Sequence, residues 1–93
     1  MVIIYTDHLL YRIKLRRIDF DLPKKVYLEA EEIFFDIQTK HYVALGRGSY
    51  FGKTRLLSVA FDKFSDKVEL ITIHPIDEED RNQRLKSKRW ISR

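Results

Sequence analysis

His8, Arg12 and Arg16 stand at successive four-residue intervals near the start of the chain. On a helix turning about 100° per residue they fall within an arc of about 80°, forming one stripe. One imidazole and two guanidiniums in a row can contact phosphate oxygens and assist proton transfer in phosphodiester cleavage. The bland alternative is that both arginines are solvated or paired with acids such as Asp19 or Glu69. His74, just before Pro75, and His41 complete the histidines, and the three can converge. No H-x-x-x-H or H-E-x-x-H spacing makes two of them neighbours, so a metal site gains no support.

Two further groups of bases carry possible binding chemistry. Arg47, Lys53 and Arg55 surround Gly46, Gly48 and Gly52. Glycines let backbone N–H groups approach a phosphate while neighbouring bases supply charge. The spacing is not that of a P-loop, so nucleotide hydrolysis is not indicated, and a plain hairpin loop over 47–53 is the leading account. Tyr50 and Phe51 at its tip can stack on unpaired bases or fold back onto the sheet. In the tail, Arg81, Arg84, Lys88 and Arg89 precede Trp90. Such bases displace counterions from a phosphate chain, and tryptophan can stack on a base. The same segment also reads as a helix matched to its own dipole, with Leu85 and Trp90 docked on the core.

Other chemistries find no residues. With no cysteine there is no disulfide, thiolate metal site or cysteine nucleophile. The G-x-S-x-G elbow is absent. Asp36, Asp62 and Asp66 have no spacing that enforces a magnesium cluster. A catalyst built from this sequence is therefore expected to be a cofactor-free, metal-independent nuclease using Arg, Lys, His and Tyr. It would orient a ribose 2′-OH against its phosphate and stabilise the developing charge.

Charge points to the same partner class. The formal net charge is +4, and the six bases of the last 13 residues meet no acid, whereas acids outnumber bases before them. The positive excess lies wholly in the tail, which suggests a polyanion. At 93 residues, 44% hydrophobic and 34% charged, the sequence suits one globular domain, 1–93. No apolar run reaches the ~18 residues that span a membrane. Val2-Ile3-Ile4-Tyr5 is too short for a signal-peptide core, and a cytoplasmic location is expected.

These groups need elements to position them. Val2 to Thr6 is expected to be a strand. Asp7 is expected to cap a helix ending near Arg16 or Arg17, with Leu9, Leu10 and Ile13 as its apolar stripe. Asp21 and Pro23 start a second helix running to about Glu31, with Val26, Leu28 and Ala30 as core contacts. Strands follow at 33–37, 41–46, 55–61 and 67–74, joined by short turns into an antiparallel meander. His41, Val43 and Leu45 share one face of theirs, and Leu57, Val59 and Phe61 share another. After Pro75, Asp77 to Asp80 open a last helix, in which Asp77–Arg81 and Asp80–Arg84 pair at i,i+4.

The opening Tyr5-Thr6-Asp7-His8 with Arg12, Arg16 and Ile18 resembles the H…R…R-x-I start of a family of small uncharacterised prokaryotic domains. That family is grouped with the BrnT and RelE/ParE-like toxins of toxin–antitoxin systems. Ile71-Thr72-Ile73-His74-Pro75, followed by Arg84-Leu85-Lys86-Ser87-Lys88-Arg89-Trp90, is similar to its closing strand and basic helix. The resemblance implies an α+β fold of RelE/BrnT type, with N-terminal-region helices on a curved, mainly antiparallel sheet. It implies an mRNA endonuclease silenced by a bound antitoxin, and singles out His8, Arg12 and Arg16, with weaker matches at His74, Arg84 and Arg89.

The expected function is thus a toxin-like RNA-binding protein, either cutting its RNA or only holding it. The expected catalytic residues are His8, Arg12, Arg16 and His74. Arg47, Lys53, Arg55, Arg81, Arg84, Lys88, Arg89 and Trp90 are expected to bind nucleic acid. A protein-interaction subunit is the third reading, in which an antitoxin-like partner or a second copy docks on the sheet edge or a helix.

Overall fold

The computed structural model describes residues Met1–Arg93. In chain order its elements are β1 (Val2–Tyr5), α1 (Asp7–Arg16), α2 (Leu22–Leu28), β2 (Glu32–Asp36) and β3 (His41–Tyr50). These are followed by β4 (Lys53–Lys63), β5 (Lys67–Pro75), α3 (Glu78–Lys86) and β6 (Trp90–Ser92). The fold is α+β: the six strands form one mixed sheet in the order β1-β5-β4-β3-β2-β6. Strands β2 to β5 make the expected antiparallel meander, and β6 adds antiparallel to β2. The β1–β5 pair is parallel. No helix is long and apolar enough to cross a membrane.

Alternation along the strands divides the interior in two. On one face Leu9 and Ile13 of α1 and Leu22 and Val26 of α2 bury against Ala44, Leu57, Val59, Phe61, Val68, Leu70 and Ile73. On the other, Phe34, Val43, Leu45, Leu56, Ile76 and Trp90 form a smaller cluster, with Leu85 of α3 resting on it. Each fully buried leucine contributes about 1.5–3 kcal/mol relative to exposure. Strand β5 carries a bulge: Leu70 pairs with Phe61 and Thr72 with Ala60, leaving Ile71 between them unpaired.

Helices α1 and α3 begin at side-chain caps, whereas Asp21 precedes α2 without a side-chain capping bond and Pro23 lies in its first turn. Thr6, rather than Asp7, caps α1, its hydroxyl accepting from Leu9 N at 3.2 Å, while Asp7 lies in the first turn. Arg17 ends the helix in the left-handed region at φ 54°. Leu10 is exposed, because only the Leu9–Ile13 line faces the sheet. Helix α2 stops at Leu28, short of Glu31, and Leu28 points away from the core that Val26 fills. Tyr5 ties β1 to this region, donating to Phe20 O at 2.7 Å and accepting from Lys24 N at 3.1 Å.

The segment 47–53 is not a glycine-rich loop. β3 and β4 continue through it and turn on Phe51-Gly52, both with positive φ, at 52° and 80°. Gly46 and Gly48 serve packing instead. A Cβ on Gly46 would lie 3.3 Å from Val26 O, and one on Gly48 2.9 Å from Leu22 Cδ1. Their missing side chains let α2 lie close to β3.

The C-terminal segment also departs from a single basic helix. In α3, Asp77 accepts from Asp80 N at 2.7 Å, and acids in the first turn face bases in the last. The helix fully buries no residue of its own and is held by the partly buried Leu85 and by charge. Arg81 makes a two-point contact with Glu32, its Nε donating to Oε1 at 2.7 Å, in place of a pair with Asp77. Asp80 and Arg84 do not pair either. Lys88 turns the chain at φ 63°, and Trp90 starts β6.

Candidate functional site

Where β1 leaves β5, Thr6 N bonds Leu70 O and α1 packs beside the remaining length of β5. This places the polar stripe of α1 next to the end of the strand that carries His74. A cavity of about 370 Å³ opens there, on the sheet face away from α2. His8 comes from α1, Thr72 and His74 from β5, and His41 from β3. Arg84 comes from α3, and Arg89 from the link to β6.

The charge around this cavity is felt at His74. Its pKa is lowered from the ordinary 6.5, first by partial burial and then by the positive charges of Arg16, Arg12, Arg84 and His8. An imidazole in that setting stays neutral, a proton acceptor, at pH values where a free histidine begins to charge. Arg12, Arg16 and Arg84 take part in no ion pair. The acids that might have neutralised the first two are engaged elsewhere: Glu69 with Lys67 at 3.3 Å, and Asp19 with Asp21 N at 3.0 Å.

His41 brings a second arrangement to the same cavity. Its Nδ1 lies 2.7 Å from Asp62 Oδ1 across the β3–β4 ladder. The carboxylate orients the ring and selects Nδ1 as the protonated nitrogen, so Nε2 is the one left for a ligand. The catalytic candidates drawn from the sequence omit this pair, yet the sequence holds a signal for it. Reading Phe51-Gly52 as a two-residue turn fixes Tyr50 opposite Lys53, and counting back past Tyr42 opposite Phe61 leads to His41 and Asp62. No three His, Asp or Glu side chains are grouped so as to hold a metal ion.

The candidates taken from sequence fall into four groups, with Arg89 in two of them. His8, His74, Arg84 and Arg89 line the cavity, and Arg12 and Arg16 are close enough to shift His74. Arg47, Arg81 and Arg89 are held by acids: Arg47 by Glu78 at 3.1 Å and Glu31 at 3.7 Å, Arg81 by Glu32, and Arg89 by Asp36 at 2.9 Å. Lys53 and Arg55 start β4 on the alternation of Leu57 and Val59, the face opposite the cavity. Lys88 is exposed in the turn between α3 and β6.

Trp90 is not free to stack on a base. It is 3% exposed, lies parallel to Phe34 at 5.3 Å with Arg84 5.0 Å from the ring, and donates its Nε1 to Asp36 Oδ2 at 3.1 Å. It forms part of the cavity wall and holds Arg84 beside it. At the hairpin tip Tyr50 is buried and Phe51 exposed, so only Phe51 is available for stacking.

No protein-family model, curated protein or solved structure matches the chain.

Proposed function

We propose that the cavity binds the phosphodiester backbone of RNA and cleaves it without a metal, as the toxin member of a toxin–antitoxin pair of RelE/BrnT-like type. One observation carries the reading: His74 shares a cavity with His8, His41 and the unpaired Arg84, and its pKa is lowered by partial burial and by the nearby charges of Arg16, Arg12 and Arg84. The α+β order and the sequence resemblance of the first helix and closing strand are compatible with it.

In this mechanism neutral His74 takes the proton of a ribose 2′-OH. The 2′-oxygen attacks phosphorus, the bond to the 5′-oxygen breaks, and a 2′,3′-cyclic phosphate forms. The leaving oxygen receives its proton from a second histidine in its imidazolium form, either His41, whose cation Asp62 would stabilise while Nε2–H donates, or His8. Arg12, Arg16 and Arg84 hold the non-bridging oxygens and offset the charge that grows on them. A binding-only module is the second reading, favoured by the same three unpaired arginines, since phosphate contact needs nothing more.

The test incubates purified protein with mixed-sequence RNA, with and without EDTA, beside Arg12→Ala/Arg16→Ala and His74→Gln. Cleavage that survives EDTA and is lost in both variants supports the nuclease. Intact RNA with a salt-dependent mobility shift moves the assignment to the binding module. Neither cleavage nor a shift rejects both.

A further inference from the structure

A second and larger depression, about 630 Å³, lies on the other face of the sheet, beyond the end of α2. His41 and Tyr42 are adjacent in sequence, but the pleat turns them to opposite sides: His41 to the first cavity and Tyr42 to this cleft. Its walls are aromatic. Tyr42 stacks on Phe61 at 5.4 Å with an interplanar angle of 20°, and Tyr27 meets Phe61 edge-on at 4.9 Å. Leu28, Ala30 and Ile33 are the smaller apolar lining groups.

Two exposed cations complete the lining, Lys63 from the end of β4 and Arg93 following β6. Neither is in an ion pair, and no Asp or Glu side chain lines the cleft; the Arg93 guanidinium lies 5.6 Å from the Phe35 ring. Elsewhere Arg47, Arg81, Arg89 and Lys67 are each matched to a carboxylate. Volumes of roughly 300–1,000 Å³ with apolar walls and a few placed polar groups are typical of small-ligand sites. Flat rings favour a flat partner by offset or edge-on stacking. Unmatched cations at the edge favour a negative group on that partner.

We propose that this cleft is a binding site for a small aromatic carboxylate, its ring against Tyr27, Tyr42 and Phe61 and its carboxylate toward Lys63 and Arg93. Two cations without a continuing track suit one anionic group better than a phosphodiester chain, whose unpaired arginine contacts Arg12, Arg16 and Arg84 gather around His74. The proposal is independent of the reaction assigned to the histidine cavity.

The test titrates the ¹⁵N-labelled full chain with 1-naphthoate and, in parallel, with neutral 1-naphthalenemethanol. Saturable naphthoate binding should move the amide signals of Ala30, Ile33 and Phe61 and leave those of Thr72 and His74 in place. Lys63→Ala/Arg93→Ala changes only exposed side chains. It should weaken naphthoate roughly three- to tenfold, the scale of charge-assisted contacts that are partly exposed, and leave naphthalenemethanol unchanged. Three results overturn the proposal: no saturable binding, shifts centred on Thr72 and His74, or equal loss for both compounds. So does an RNA oligonucleotide that moves the cleft signals when naphthoate does not, because the surface would then belong to nucleic acid.

Discussion

Arg89 Nη2 lies 2.9 Å from Asp36 Oδ2, and Arg89 Nε donates to both oxygens of the same carboxylate at 3.1 Å. Trp90 Nε1 and the backbone N–H groups of Gln38 and Thr39 also donate to it. One buried acid thus joins the β2–β3 turn to the segment that becomes β6.

Asp36→Ala leaves Arg89 and the Trp90 indole without their acceptor. Removing one partner of a buried pair costs about 3–5 kcal/mol. Urea denaturation should read a loss on that scale, with β6 the first part to lose amide-exchange protection. The pH dependence has a definite sign. Burial alone would raise the Asp36 pKa, but the donors Arg89, Gln38, Trp90 and Thr39 together bring it below 3.8. Its stabilisation is therefore complete above the unfolded carboxyl's range and is lost as pH falls through the lower folded value. Asp36→Asn should flatten that acid limb.

His74 titrates below 6.5 because of partial burial and the cations around it. In Arg12→Ala/Arg16→Ala its imidazole resonances, followed by NMR against pH, should titrate closer to 6.5. If they do not move, the charges of α1 do not reach His74. In the wild type, unfolded His74 takes up its proton near 6.5 while the folded form resists it. Stability from this group is thus complete above that pH and declines as pH falls toward the folded value.

Arg81 and Arg84 lie one turn apart on α3 and should behave differently. Arg81→Gln breaks the two-point contact with Glu32, whose pKa is lowered chiefly by the Arg81 hydrogen bond. It should cost about 1 kcal/mol, as expected for a partly exposed pair, and leave RNA affinity unchanged in fully folded protein. Arg84→Gln should leave the urea midpoint nearly unchanged. On single-stranded RNA it should reduce the slope of log affinity against log salt by about 0.7, the loss of one phosphate contact. Equal slopes for the two variants would place Arg84 outside the interface.

Gly48→Ala and Gly52→Ala separate packing from backbone conformation. At Gly48 the new Cβ meets Leu22 Cδ1 at 2.9 Å and Leu57 Cδ1 at 3.2 Å, so overpacking of about 1–3 kcal/mol is expected. At Gly52 nothing lies within 4 Å, and the cost is the φ of 80°, about 1–2 kcal/mol. Methyl NMR should show Leu22 and Leu57 perturbed only in Gly48→Ala.

The elements legible in the sequence were those whose signals are local. Asp21 with Pro23 marked the start of α2, and alternation from His41 to Leu45 marked the two faces of β3. What escaped depends on distant partners. Gly46 and Gly48 resemble loop punctuation until α2 is laid over them, although their spacing of two already put them on one strand face. Trp90–Ser92 follows a basic helix and is too short to announce itself; it is a strand because β2 offers a free edge. At the site, the four-residue spacing gave the stripe His8, Arg12 and Arg16. Its meeting with His74 needed the parallel β1–β5 pair, which no local pattern encodes.

The unpaired Ile71 gives β5 a change of parity. Up to Leu70 the even-numbered residues face the helices; beyond the bulge that side belongs to the odd-numbered Ile73. Under unbroken pairing this same sequence would turn Thr72 and His74 into the apolar core and Ile73 into the cavity. One residue of slack thus uncouples what fills the interior from what faces a ligand. Excision of Ile71 would leave Thr72 opposite Ala60 and His74 opposite Ser58, so the strand can shorten at this point without exchanging its two sides.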